Sequence, residues 1–357
     1  MACVLLVGKG PPDRGGIPTF MRMLVESGLT SDHQVTFLNL ARDEEPQGGR
    51  LTWNNVTRLL ADMVAVWRGS AGCDVVHLHS ALAPSVTALR AGALGAVARV
   101  RGCRVLVHAH GGLVLTWMDR PSRRWLVRLA LSPAHQVLAV STALERALAA
   151  AAGPHRIRLL HNGVDLRAYY PEPVENAVPS VLYVGLLTPR KGLLDLFSAS
   201  RILERRGVKH ELVLVGGTPN EGGDAESQVR GAAPATAHLL GEKDSSELPS
   251  LYRSADVFCL PSWWEAMPLS LLEAMASGLP AVVSDVGEVP KMVAPETGVL
   301  VPPREPERLA DALETLITDG ELRSRMGAAA RRRAVDHFAL TTMVATLSTV
   351  YDDLAAR

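Results

Sequence analysis

The chain has 357 residues, 47% of them hydrophobic and 21% charged, and a formal net charge of zero. That length suits two domains, and the composition excludes disordered and fibrous classes. No apolar run reaches the roughly 18 residues needed to cross a bilayer. The neutral total is unevenly spread: residues 1–170 hold 19 Lys and Arg against 11 Asp and Glu, and the remainder holds 18 against 26. A basic half points either to an anionic partner or membrane surface, or to attraction between the halves themselves.

The chain opens on "MACVLLVGKG", an apolar run with no basic segment ahead of it. It reads as a core strand ending in a Gly-rich loop, not as a signal peptide. "QVTFLNL", "DVVHLHS", "RVLVHAH", "QVLAVS" and "RIRLLHNG" follow, each separated from the next by helical patterning. After "DLRAYYPEPVENAVPS", whose Pro-rich polar character predicts a linker, come "SVLYVG", "ELVLVGG", "AHLLG", "DVFCLPS", "PAVVSD" and "GVLVPP". Short apolar runs alternating with helices imply parallel sheets buried on both faces. The fold expected is therefore α/β, with two Rossmann-like doubly wound domains, and ligands in such sheets bind beyond the carboxyl ends of the strands. Cys3, Cys73, Cys103 and Cys259 show no metal-ligand spacing or disulfide framework, so reduced cytoplasmic thiols are expected.

"EAMPLSLLE", residues 265–273, carries the first chemical question. Pro268 suits a helix start and Gly278 a C-terminal cap, predicting a helix from about 268 to 277 that is apolar nearly all round. Glu273 is its only charge, and a buried carboxylate needs hydrogen-bond donors, which a ligand's hydroxyls would supply. At about 1.5 Å per residue Glu273 stands roughly 7–8 Å along the helix from Pro268, with Glu265 beyond the other end. That layout suits an extended ligand with polyols at both ends and phosphate at the helix N-terminus between them, as in a sugar nucleotide.

"PSWWEAMPLSLLEAMASGLPAVVSDVGEVPKMV" resembles the signature of the large retaining glycosyltransferase family four, with its E-x7-E element. "GGIPTF", "DVVHLHS", "HAHGG", "VLAVSTAL", "HNGVD", "YVGLLTPRKG", "LVLVGG" and "LYRSADVFCLPS" follow the family's order and spacing, so the resemblance covers almost the whole chain. It implies the GT-B fold, two such domains facing a central cleft: residues 1–168 on the acceptor side, 178–338 for the nucleotide sugar, and a last helix, about 339–357, crossing back to the first.

By the same resemblance Glu273 would bind the donor ribose and Glu265 the hydroxyls of the transferred sugar. The backbone of Ala266, Met267, Pro268 and Leu269 would line sugar and phosphate, and Lys191 would contact the diphosphate. Gly15 and Gly16 would bring backbone amides to the diphosphate or the acceptor, His110 would face the donor sugar, Gly217 would border its phosphate, and residues 240–245 would hold the base. Catalytic roles thus fall to Glu265, His110 and Lys191. His77, His79 and His108 are expected to be structural or acceptor-side, and Ser141 and Asn162 to line the cleft. Where the family commonly has an arginine directly after the glycine of "YVG", this chain has Leu186; Arg190 is the candidate substitute.

The implied reaction is front-face transfer of a hexose-type sugar, with UDP the expected base, to a hydroxyl acceptor. No Asp-x-Asp motif stands where a metal-dependent transferase would need one, so neither metal nor cofactor is expected. Residues 117–131, "WMDRPSRRWLVRLAL", would if helical form a basic amphipathic surface, fit for an anionic or lipid-linked acceptor or the inner membrane face. No nucleic-acid partner is implied. Two other readings stay open: a nucleotide-sugar 2-epimerase of the same fold, which needs no acceptor, and a non-catalytic sugar-nucleotide-binding protein.

Overall fold

The computed structural model describes the whole chain except residues 14, 42–52, 173–175, 218–222 and 357. It divides into two compact units, Met1–Asn162 with Thr341–Arg357, and Gly163–Leu340. Each is built on one six-stranded parallel sheet.

In the first unit β1 (Cys3–Gly8), β2 (Gln34–Asn39), β3 (Val75–Ser80), β4 (Arg104–Ala109), β5 (Gln136–Ala139) and β6 (Ile157–Leu159) lie in the order β2-β1-β3-β4-β5-β6. The central strands are buried along nearly their whole length, as helices on both sheet faces require. The order reverses direction between β1 and β3. In the second unit β7 (Ser180–Val184), β8 (Glu211–Val215), β9 (Ala237–Leu239), β10 (Val257–Leu260), β11 (Ala281–Ser284) and β12 (Gly298–Val301) run β12-β11-β10-β7-β8-β9, reversing between β7 and β10. At such a reversal the loops after the two strands diverge and leave a crevice. The loops after β1 and β3, and those after β7 and β10, hold most of the residues singled out in the sequence.

Two expectations differ in detail. Val164 forms a parallel bridge with Ala339, and the Tyr169 ring packs edge-on against Tyr252 at 5.5 Å. Arg331 donates to the Tyr169 carbonyl at 2.7 Å. The predicted linker therefore begins as packed structure of the second unit, anchored by Tyr252 and by Arg331, 162 residues further on; its residues 173–175 lie outside the described set. The 117–131 segment is two helices, Leu113–Trp117 and Pro121–Ala130, because proline favours a helix's first turn and the chain restarts there.

The last helix, Leu340–Ala355, packs in the first unit. His33 bonds Ser348 at 2.7 Å, His77 bonds the Tyr351 hydroxyl at 2.7 Å, and Arg158 pairs with Asp353 at 3.3 Å. Among the described residues no helix is long and apolar enough to cross a membrane.

Candidate active site

In the second unit the loop from Pro261 to Pro268 leads from β10 into the helix Leu269–Ala276. The helix starts at Pro268 and ends in a Schellman arrangement. Gly278, at φ 75°, donates to Met275 and Leu279 donates to Ala274, which satisfies the last carbonyls. Leu271, Leu272, Ala274, Met275 and Ala276 are fully buried, each leucine contributing about 2 kcal/mol by leaving water. The carboxylate of Glu273 shares that interior. Its Oε2 accepts from the Tyr252 hydroxyl at 2.8 Å, so the protein supplies at least one of the donors that the sequence reading left to a ligand. Burial and the adjacent Glu273 charge push the Tyr252 hydroxyl well above its ordinary pKa, so it stays a donor.

Glu265 is also buried, and Lys191 meets it. The Lys191 ammonium lies 2.6 Å from Glu265 Oε1, which also accepts from the Ser262 hydroxyl at 2.8 Å. Two residues 74 positions apart are joined because β7 and β10 are neighbours and their following loops face each other at the reversal. Lys191 ends a short 3-10 turn, Pro189–Lys191, and Gly192 follows at φ 73°. A Cβ on Gly192 would run into the Pro261 carbonyl oxygen, and one on Gly287, at φ 58°, into that of Glu265. Two glycines thus let main chain press against the loop from both sides, as no larger residue could. Trp263 fixes it further: its backbone N–H donates to the Arg190 carbonyl at 3.0 Å and its indole N–H to Asp195 at 2.6 Å, with Arg304 stacked 4.2 Å from its ring.

Other predicted residues of this unit fall nearby in the fold. Gly217 follows β8, and a Cβ there would stand 2.6 Å from Glu242 Cγ, which brings the 240–245 stretch against the β8 loop. Leu186 takes its place after β7 with its carbonyl accepting from Tyr183 at 2.7 Å. Arg190 gives its carbonyl to Trp263, as above. Ala266, Met267 and Pro268 are buried and Leu269 half-buried.

In the first unit Gly15 caps the helix Gly16–Glu26 at φ 116°. No atom lies within 4 Å of where a Cβ on Gly15 or Gly16 would stand. Gly15 is explained by its backbone angle, whereas nothing within the described protein explains the bare backbone at Gly16. His110 follows β4; its Nε2 lies 3.0 Å from His79 Nδ1, and burial pushes its pKa down to about 3, so it is a neutral hydrogen-bonding group. Its neighbour Gly111 faces the Ala81 carbonyl where any Cβ would clash. Ser141 caps the helix Thr142–Ala152 by accepting from Leu144 N–H at 3.2 Å, a structural task that accounts for its position. Asn162 is buried. A cavity of about 240 Å³ lies at this unit's reversal, lined by Gly8, Lys9, Ile17, His79 and Ser80 among others.

In the 117–131 segment Arg123 and Arg124 bond the carbonyls of Trp117 and Met118, while Trp125, Arg128 and Leu129 are exposed. Sequence reading missed Tyr252 and Asp195, and singled out Ser262 and Trp263 only by their place after a strand; the four hold Glu265, Glu273 or the loop between them. Only "WW" beside Glu265 offered a local hint; the rest are long-range pairings.

Comparison with known proteins identifies the family. Residues 172–333 match the family described as glycosyl transferases group 1, and residues 14–168 match glycosyltransferase family 4, so the two matches together span nearly all of the chain. The D-inositol 3-phosphate glycosyltransferase of Corynebacterium glutamicum is 34% identical over 57% of this chain and 53% of its own length. The chain thus spans about half the length of that relative in the match. The phosphatidyl-myo-inositol mannosyltransferase of Mycolicibacterium smegmatis is 28% identical over 96% of this chain and 91% of its own. Among solved structures, sucrose-phosphate synthase from Thermosynechococcus elongatus superposes with a TM-score of 0.81 over 100% of both chains, at 23% identity, which is a likeness of fold. The chain belongs to the family 4 glycosyltransferases, with the two Rossmann-like units of the GT-B class.

Proposed function

We propose that the protein transfers a hexose-type sugar from a nucleoside diphosphate donor to a hydroxyl acceptor, with retention of configuration and without a metal at the diphosphate. One observation carries the reading: the half-buried Lys191 paired with the buried Glu265 at a sheet reversal, with a second buried carboxylate, Glu273, on the helix that leaves the same loop. The pairing keeps two charges in a nearly dry site before any ligand arrives. A diphosphate competes with Glu265 for the ammonium, and sugar hydroxyls compete with Lys191 for the carboxylate. Glu273, held by Tyr252, is the carboxylate that the family resemblance assigns to the ribose hydroxyls. UDP is the nucleotide implied by the family resemblance.

In the reaction the acceptor oxygen bonds the anomeric carbon on the face from which the diphosphate departs. The carbon–oxygen bond to phosphate breaks with its electron pair leaving on the diphosphate, and a phosphate oxygen takes the acceptor's proton. Lys191 stabilises the charge that develops there, and neutral His110 contributes a hydrogen bond and no charge. The acceptor reading for the first unit rests on its relatives' names and on its basic surface. The exposed Trp125, Arg128 and Leu129 support a peripheral contact with an anionic membrane.

Thermal shift with UDP, GDP and ADP in EDTA tests the reading. One nucleotide should raise the melting point, since a ligand at a hundredfold excess over Kd stabilises by about 2.7 kcal/mol. Glu273→Ala, shown folded by circular dichroism, should lose that shift. An equal shift in the variant would remove Glu273 from the ribose, and no shift with any nucleotide would overturn the assignment.

A further inference from the structure

A histidine-x-histidine step stands at the end of each of β3 and β4, His77 and His79 on β3, and His108 on β4 with His110 just after it. Alternate residues of a strand share a face, and the parallel register sets His79 beside His108, so four imidazoles gather at one end of the first unit's sheet. Their rings form a contiguous group: His77 to His79 at 4.1 Å between centroids, His108 to His110 at 4.2 Å, and His77 stacked on His108 at 5.5 Å.

Buried polar atoms are ordinarily hydrogen-bonded, and here they are not. His77 Nε2, His79 Nε2 and both nitrogens of His108 have no partner among the described residues. The opposite nitrogens of the first two are held: His77 Nδ1 at 2.7 Å from the Tyr351 hydroxyl, and His79 Nδ1 at 3.0 Å from His110 Nε2. One ring nitrogen anchored by an outer partner, the other bare and facing its neighbours, is the arrangement that metal-binding histidines show. One nitrogen from each of His77, His79 and His108 lies within 4.8 Å of the others. Histidine–zinc bonds of about 2.0–2.1 Å need nitrogens roughly 3.4 Å apart, so binding draws the three rings together by small side-chain rotations.

We propose that His77, His79 and His108 form a site for one divalent transition-metal ion of the zinc and cobalt type, in the core of the first unit. Burial holds all three imidazoles in the neutral form that ligates. His79 also lines the 240 Å³ cavity, which gives the ion a way in and leaves room for a water as fourth ligand. The all-imidazole donor set favours zinc, cobalt, nickel or copper over magnesium and calcium, which take oxygen ligands. The site is distinct from the diphosphate-binding loop and independent of the reading given above. It has one consequence for the neighbouring residue: a metal on His79 Nε2 leaves the proton on His79 Nδ1, so His110 Nε2 must accept. The ion would thereby fix the tautomer of His110.

The test is titration of the untagged, EDTA-treated full chain with Co²⁺, read by its visible d–d absorption and by melting temperature. We expect about one equivalent taken up, with the band intensity of a four-coordinate site. His108→Phe should fold at least as well as the parent, because it removes two unpartnered buried nitrogens, and should lose the uptake. Tyr351→Phe keeps every ligand but frees His77 Nδ1, and should weaken Co²⁺ affinity about 10–100-fold. Uptake that survives in both variants would assign the ion to surface histidines and overturn the site, as would no uptake by the parent. Should His108→Phe fail to fold, Tyr351→Phe decides alone: unchanged affinity overturns the proposal.

Discussion

The two sheet reversals bury polar groups by opposite rules. In the second unit each buried charge meets a complement: Lys191 with Glu265, Ser262 with the same carboxylate, and Tyr252 with Glu273. In the first unit four histidines crowd together and stay neutral, and among the described residues most of their inner nitrogens have no partner. Complementary pairing makes a site that is ready when empty and exchanges partners when a charged ligand enters. A set of unpaired ring nitrogens is a site that gains stability only when something fills it.

The sharpest way to break this comparison is to unpair the second unit. Lys191→Met should lower stability by about 3–5 kcal/mol in urea unfolding, because it leaves Glu265 buried with one neutral partner. Lys191→Met combined with Glu265→Gln should recover part of that loss; additive losses would show that the two residues are not coupled. Next in size, Gly192→Ala should cost about 3 kcal/mol by forcing a side chain into a left-handed backbone and against the Pro261 carbonyl.

Acid should act on the first unit. A histidine held neutral in the fold takes up a proton on unfolding, so stability is full above about pH 6.5 and declines as the pH falls from there toward 3. For His110, pushed down to about 3, the loss by pH 5 should be about 1–2 kcal/mol. Hydrogen exchange at pH 7 and pH 5 on metal-free protein should show β3 and β4 opening more than β7 and β10; equal change in both sheets would erase the contrast. Smallest, Ser141→Ala should cost about 1 kcal/mol by removing a helix cap and leave the nucleotide shift intact, whereas loss of the shift would make Ser141 a binding residue.

Much of the fold was legible because parallel strands buried on both faces must be short apolar runs, as the central strands are, while β2, β6 and β9 at the sheet edges are more exposed. The carboxylates could also be read locally, since a lone glutamate on an apolar helix demands an explanation. The pairing of Lys191 with Glu265 was not legible: it depends on which strands become neighbours, and nothing near either residue encodes that. The histidines were a different failure. Their two-residue spacing was plain, but they read as separate structural groups until strand register set His79 beside His108. Pro-rich, polar "DLRAYYPEPVENAVPS" looks the same whether it spans open solvent or, as at Tyr169, is strapped down by an arginine far along the chain.

The loop bearing Glu265 touches Gly192 and Gly287 through main-chain carbonyls, so its path is moulded by backbone on both flanks. Such a loop can change what it admits, one side chain at a time, while its acid and its lysine stay where they are. A single scaffold of this kind can serve many sugars.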